Sequence, residues 1–493
     1  MTRYSDNVFY LDARLNYARS FGKHNVAAMA MYMMRQYISS VLPQRNQGFS
    51  GRATYDYDNR YLAEFNFGYN GTERLEAGKR YEFFPAMSLG WVASNEKFWT
   101  PIIDVVNYFK LRSSYGLVGS DETGLYAGAP HYLYLSNVNM YGGGNFESGV
   151  TGGLSQQGPM VNSYPVSNAS WERATEFDIG VDLQLFKQFN FTFDWFSSKR
   201  DRILMKRASF PSVLGYQNAI PWANVGKVDN MGFEFSANWT KQINKDWFID
   251  ARVNWTYSKN KYVYVDEPDY PYVWQTQTGK PLDAMRGYIA DGLFESQAEI
   301  DASPDQSIFG STIMPGDIRY RDINGDNKIT AEDQVMLSPY GNMPRIQYGF
   351  GISVQWKDLD VSVFFNGSAK RNIMLTGMYP FCANDSNDNN LMKWIADSHW
   401  SEGADNSNVL YPRLGTLSTQ ISNNNQPSSW WMRNGSFLRF KTLEIGYRLK
   451  WFRLYFSADN LAVWSKFKYW DPELSFNSYP LQRTFNIGLQ FNL

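Results

Sequence analysis

Residues Thr484–Leu493 read TFNIGLQFNL, and the reading of this run decides the fold. Phe485, Ile487, Leu489, Phe491 and Leu493 alternate with Thr484, Asn486, Gly488, Gln490 and Asn492. A period of two, with one apolar and one polar face, marks a half-buried β-strand. A soluble β-sandwich could end on the same pattern, so the rest of the chain has to discriminate. The pattern recurs throughout. Tyr61, Ala63, Phe65, Phe67 and Tyr69 oppose Arg60, Glu64, Asn66 and Asn70, and Phe177, Ile179, Val181, Leu183 and Leu185 oppose Glu176, Asp178, Asp182 and Gln184. About 15 strands are predicted, and no helix-period stretch longer than about ten residues competes with them.

The connections alternate short and long. Phe21–Lys23, Asp58–Asn59, Lys187–Gln188, Asn244–Lys245, Lys357–Asp358 and Lys450–Trp451 are short; 119–173, 260–345, 369–436 and 461–482 are long. Segment 94–104 is the one longer member of the short set. Counting back from the last strand keeps every short connection on one side. Outer-membrane barrels sort their connections in this way, with short periplasmic turns and long extracellular loops, whereas a propeller or sandwich has no reason to. The expected fold class is therefore all-β, an antiparallel transmembrane β-barrel over residues 1–493 with a long extracellular loop at 260–345.

Composition agrees. The 493 residues carry 47 basic and 48 acidic side chains, a net charge of -1, which supplies no basic field for nucleic acid. Aromatic residues make up 17% of the chain, more than a soluble core needs, and barrels use them in girdles at both membrane interfaces. Mean hydropathy is -0.45, and no apolar run reaches the ~18 residues of a membrane helix. Cys382 is the single cysteine, so no intrachain disulfide can form. The N-terminal MTRYSDNVFYLDARLNY lacks a basic region followed by an apolar one, so a targeting signal is expected outside this sequence.

Two sets of candidate site residues stand out. Asp322, Asn324, Asp326, Thr330 and Asp333 place oxygen side chains at positions 1, 3, 5, 9 and 12 of a loop, with the Lys328 carbonyl at 7. That is the spacing of an EF-hand-type calcium loop, although Asn327 replaces glycine at position 6 and Asp333 replaces the bidentate glutamate. The alternative is an Asx-rich turn capping its own backbone, and Ile318, Tyr320 and Ile329 should pack the loop in either case. Loop residues Trp222, Trp274, Trp394, Trp400, Trp430 and Trp431 could stack on sugar rings, or they could pack the loops or sit in an interfacial girdle. Catalysis is not indicated. His24, His131 and His399 are scattered rather than clustered as zinc ligands, no carboxylate pair can be placed at glycosidase separation, and the glycine run at Tyr141–Asn145 lies in a loop.

Several stretches together resemble SusC/RagA-type TonB-dependent outer-membrane transporters. They are GRATYDYDNRYLAEFNFGYNGTERL (Gly51–Leu75), FFPAMSLGWVASNEKF (Phe83–Phe98), LRSSYGLVGS (Leu111–Ser120), WERATEFDIGVDLQLF (Trp171–Phe186), NVGKVDNMGFEFSANW (Asn224–Trp239), GDIRYRDINGDNKITAEDQV (Gly316–Val335) and SFLRFKTLEIGYRL (Ser436–Leu449). They fall in family order over nearly the whole chain. The resemblance implies a barrel of about 22 strands, of which the chain holds the C-terminal part. A signal peptide, an N-terminal regulatory-like domain, a TonB box, a plug and roughly seven strands would then lie outside it. It also implies outer-membrane lipids, a SusD-like surface lipoprotein and TonB as partners, and import of oligosaccharide, with peptide as the alternative. In the family setting Asn486, Gly488, Phe491 and Leu493 look like the terminal insertion signal of outer-membrane barrels. A passive barrel or remnant, and a secreted carbohydrate-active β-enzyme, are the competing classes. The chain is expected to be a non-enzyme, with Ca²⁺ as its one candidate cofactor.

Overall fold

The computed structural model of the chain describes residues 6–38, 42–121, 131–149, 153–211, 213, 219–375, 392–415, 418–474 and 478–491. Cys382 and Leu493 lie outside these residues. A single antiparallel sheet of 15 strands dominates, in agreement with the sequence reading. Its strands are β1 Asn7–Phe21, β2 His24–Ile38, β3 Gln44–Tyr57, β4 Tyr61–Thr72, β5 Tyr81–Val92, β6 Val106–Ser120, β7 Glu172–Leu185 and β8 Phe189–Lys206. The order continues with β9 Trp222–Gln242, β10 Trp247–Tyr264, β11 Ile346–Trp356, β12 Leu359–Ala369, β13 Phe437–Arg448, β14 Phe452–Ser465 and β15 Thr484–Phe491. Each strand neighbours the next in sequence, so the sheet is a meander from β1 to β15. Among the described residues no helix is long and apolar enough to cross a membrane.

The alternation of residues produces two chemically distinct faces. On β15, Phe485, Ile487, Leu489 and Phe491 are 56–79% exposed, and Phe9, Leu11, Leu15, Phe65, Tyr69, Ile179 and Ile352 continue the exposed apolar side on other strands. In water so broad an apolar face would drive aggregation; against acyl chains it is at home. Residues of the opposite parity are polar and paired. Arg52 bridges to Glu64, Arg112 reaches Asp178, Asp182 and Asp194, and Arg453 ties Asp360 to Glu444. Gly488 belongs to this side because an added Cβ would come 2.4 Å from the Tyr455 ring, which lies over it.

The short connections are 22–23, 58–60, 93–105, 186–188, 243–246, 357–358 and 449–451, every second one along the sheet. Several turn through left-handed backbone: Asp58 and Asn59 have φ of 57° and 53°, and Phe186 and Lys187 have 53° and 56°. Two successive left-handed residues give a turn whose twist matches that of the flanking strands. The segment 93–105 differs by containing two short 3₁₀ helices, Ala93–Asn95 and Lys97–Ile102. The other connections, 39–43, 73–80, 121–171, 207–221, 265–345, 370–436 and 466–483, share the opposite side. Strand β9 begins at Trp222, which places that residue at the head of a strand rather than in a loop. Likewise β10 runs on to Tyr264, so the long loop there starts at 265 rather than 260.

By its contacts the chain divides into two compact units. One comprises Met1–Asn238, Ser258–Asp269 and Gln277–Gly279; the other comprises Trp239–Tyr257, Tyr270–Thr276 and Lys280–Leu493. The loops of each unit have a core of their own. In the first, Leu133, Val166, Ala169 and Trp171 pack with Leu75, Phe84, Leu204 and Trp222. In the second, Tyr288, Ile318, Tyr320, Ile329, Ile373, Leu375, Ile395, Tyr411, Trp431 and Phe467 form one buried cluster. Among the described residues five two-stranded ribbons, absent from the sequence reading, stiffen the loops, among them Met285–Gly287 with Val335–Ser338 and Asn372–Met374 with Met432–Asn434.

Candidate ligand cavity of the long loops

In the second unit, a polar network fastens segment 305–320 to segment 413–431. Asp317 has 0% exposure and receives a two-pronged contact from Arg413, Nε to Oδ1 at 2.9 Å and Nη2 to Oδ2 at 3.0 Å. Asn424 Nδ2 donates to Asp317 Oδ1 at 2.8 Å, and the Met314 N–H donates to Oδ2 at 2.9 Å. Buried Asn423 donates to the Ile318 carbonyl, buried Gln306 donates to Asn423 Oδ1, and the Tyr320 hydroxyl donates to the Asn423 carbonyl. A buried carboxylate is tolerable only when its charge is matched and its lone pairs are used, and here both hold. Burial drives the Tyr320 and Tyr411 hydroxyls far above the ordinary tyrosine pKa, so both remain neutral.

Beside this network lies a cavity of about 1110 Å³, walled by segments 291–299, 314–319 and 400–413 together with Trp430. Ser296 caps the short helix Gln297–Asp301 by accepting from the Glu299 N–H, which fixes one wall. Trp400 forms another. Gly316, with φ of 91°, lies flat against its indole, and a Cβ there would come 2.3 Å from the ring. The Trp400 N–H donates to the Tyr411 carbonyl at 2.9 Å, while Trp430 Nε1 donates to the Leu410 carbonyl at 3.1 Å. Both signs of charge reach the wall: Asp291, Glu295, Glu299, Glu402 and Asp405 face Arg319 and Arg413. Hydrogen bonds from the hydroxyl and N–H of Ser407 hold the Asp405 carboxyl below its ordinary pKa.

The tryptophans read as candidate sugar platforms are not gathered at one place. Trp400 lines the cavity, as does Trp430. Trp222 is 7% exposed in the first loop core, and Trp431 is buried in the second with Nε1 donating to the Asn424 carbonyl. Trp394 packs edge-on against Tyr411 and tilted against Tyr469. Trp274 stacks on Tyr272 at 4.5 Å and donates from Nε1 to the Glu332 carbonyl at 2.7 Å. Sequence reasoning missed the acidic residues of the cavity wall, since nothing in the local pattern around Glu295 or Glu402 sets them apart from a solvated loop.

The segment Asp322–Asp333 forms a tightly self-bonded turn. Asp322 accepts from the N–H groups of Gly325 and Asn327, Asn324 from Asp326, and Asp326 from Lys328. Asp333, fully buried, accepts from Ile323 and Thr330, and Thr330 caps the following 3₁₀ turn. Asn327 takes φ of 64°, the left-handed backbone that the sixth position of a calcium loop requires of its usual glycine. Ile318, Tyr320 and Ile329 pack beneath it, as expected. Among the described residues no group of three or more His, Cys, Asp or Glu side chains converges as a metal cage.

A meander of amphipathic strands with one lipid-compatible face, and with elaborate loops confined to one side, defines an outer-membrane β-barrel protein of a Gram-negative bacterium. The chain belongs to the TonB dependent receptor-like, beta-barrel family, whose model matches residues 1–461. It is 23% identical to TonB-dependent receptor P3 of Formosa agariphila over 96% of this chain and 51% of that protein. It is 25% identical to TonB-dependent receptor SusC of Bacteroides thetaiotaomicron over 90% of this chain and 43% of that one. The chain thus spans about half the length of the relatives it matches. Among solved structures, the RagAB peptide importer in its closed-closed state superposes with a TM-score of 0.72 at 18% identity, covering 99% of this chain and 56% of that one. The SusC/RagA-type resemblance read from the sequence is thereby shown, and it is a family of transporters rather than enzymes.

Proposed function

We propose that the chain is the barrel part of an energised importer that takes an oligomeric solute through the outer membrane, with TonB as energy source and a surface lipoprotein over the long loops. The observation that carries this is the large cavity held open among preordered loops on the long-loop side of a TonB-dependent-receptor-type sheet. Peptide is the better supported substrate class. RagAB, on which the chain superposes, is a peptide importer. The cavity wall also carries carboxylates and hydrogen-bonding groups suited to a peptide, and two indoles rather than an extended aromatic platform. Oligosaccharide, the class expected from the sequence, is the second reading and rests on Trp400 and Trp430.

The test is growth of cells with and without the intact gene on a peptide digest or on mixed glycans as the limiting nutrient, repeated under TonB depletion. A defect on peptides alone, reproduced by TonB depletion, supports the proposal. A defect confined to glycans would move the assignment to oligosaccharide, and the absence of any defect would sink import. The turn at Asp322–Asp333 is also proposed to hold Ca²⁺, through Asp322, Asn324, Asp326, Thr330, Asp333 and the Lys328 carbonyl. The left-handed Asn327 supports this, as does the spare lone pair left on each oxygen that accepts a single N–H.

A further inference from the structure

We infer that the loop cavity selects a positively charged group of the ligand, such as a lysine or arginine side chain or a free α-amine. This rests on the reading of the cavity as the place where a peptide is received, and it assigns the charge of that peptide. The argument is an accounting of charges around one hollow. Of the two cations on the wall, Arg413 is committed to buried Asp317 and Arg319 is paired with Glu299. Asp291 is engaged by Arg321, whose Nε lies 3.1 Å from both carboxylate oxygens. What remains is one-signed: Glu295, Glu402 and Asp405 line the cavity, and among the described residues no cationic side chain pairs with any of them.

The second component is aromatic and independent of the carboxylates. Trp400 and Trp430 form part of the same wall, each positioned by a backbone hydrogen bond and, for Trp400, by the flat approach of Gly316. An indole face attracts an ammonium or guanidinium through its quadrupole, and the attraction grows where water is displaced. Carboxylates without counter-ions beside an indole wall, in a concave site large enough for several residues, match the chemistry of a cation carried on an apolar stem. An anionic ligand would meet repulsion from three carboxylates with no free arginine to offset it.

The experiment measures binding of fluorescent octapeptides to the full chain in detergent by polarisation: one lysine-rich, one glutamate-rich and one Ser/Ala-based and neutral. Chitosan and neutral chito-oligosaccharide hexamers serve as a second pair. The lysine peptide should bind at least about tenfold more tightly than the neutral one. Raising salt from 0.05 to 0.5 M should narrow that gap by screening. The combined variant Glu295→Gln, Glu402→Gln, Asp405→Asn should abolish the preference without weakening the neutral peptide. Asp301→Asn, on the adjoining helix but off the wall, should leave it intact. Equal affinity for lysine and glutamate peptides, or a preference that survives the triple variant, would overturn the inference. If the triple variant does not fold, salt dependence on the unaltered chain decides. Chitosan binding lost in the variant, with no peptide bound at all, would retire the peptide reading and leave the cationic selection standing.

Discussion

Asp317 shows how much of the loop architecture hangs on one side chain. It is wholly buried, and its four hydrogen bonds come from Arg413, Asn424 and the Met314 N–H. Asp317→Ala leaves Arg413 with the Gln420 carbonyl but no carboxylate, and should destabilise the second loop core by about 3–5 kcal/mol. Limited proteolysis should then cut within 305–320 or 413–431 while the strands stay protected; an unchanged cleavage pattern would refute this. Asp266 offers a pH test in the first unit. Burial pushes its carboxyl up, but the Ser209 N–H and hydroxyl and the Arg207 guanidinium outweigh that and leave it below the ordinary value. Its contribution is therefore full above the unfolded carboxylate value of about 4 and is lost as the pH falls through the lower folded one. Hydrogen exchange at 207–211 should accelerate on acidification across that window, and Asp266→Asn should remove the pH dependence. Such roles were not readable from sequence, because Asp317 and Arg413 are far apart in the chain and nothing in the Gly316–Val335 stretch that holds Asp317 points to its partner.

At the scale of the element, strands were legible and loops were not, for one physical reason. A strand between lipid and water writes its two environments into alternate residues, so β4, β7 and β15 announce themselves locally. A loop core is written in contacts such as Tyr288 with Tyr320 and Trp394 with Tyr469, which carry no period. Trp222 was misplaced because the strand it opens begins among residues that pack a loop. The terminal strand gives a prediction: Ile487→Lys, on the exposed apolar face, should destabilise insertion by about 2–4 kcal/mol if the residue sits near the bilayer midplane. The readout is a lower yield of membrane-integrated protein, with Asn486→Lys on the polar face as the milder comparison. For the turn at 322–333, EGTA should lower the midpoint of loop unfolding and added Ca²⁺ should restore it. An unaltered midpoint in both arms, with no metal retained after dialysis, would leave only the self-capped turn.

Over the whole molecule, the apolar sheet face predicts fractionation. The chain should stay with the outer-membrane pellet through carbonate and urea washes and leave it only in detergent, since no aqueous wash replaces acyl chains against Phe485, Ile487 and their neighbours. The charge balance, the missing membrane helix and the sorted connections were each readable from the residues, and together they led to the family that the comparisons show. The substrate was not readable, because the cavity wall is assembled from segments more than a hundred residues apart in sequence.

The sorting of connections has a consequence for how such a protein changes over generations. On one side, paired left-handed residues such as Asp58 and Asn59 leave no room for insertion without unsettling the register of two strands. On the other, segments with their own cores absorb new sequence while the sheet beneath keeps its order. Novelty is channelled to a single surface, and a lineage can acquire a new diet while its anchorage stays as it was.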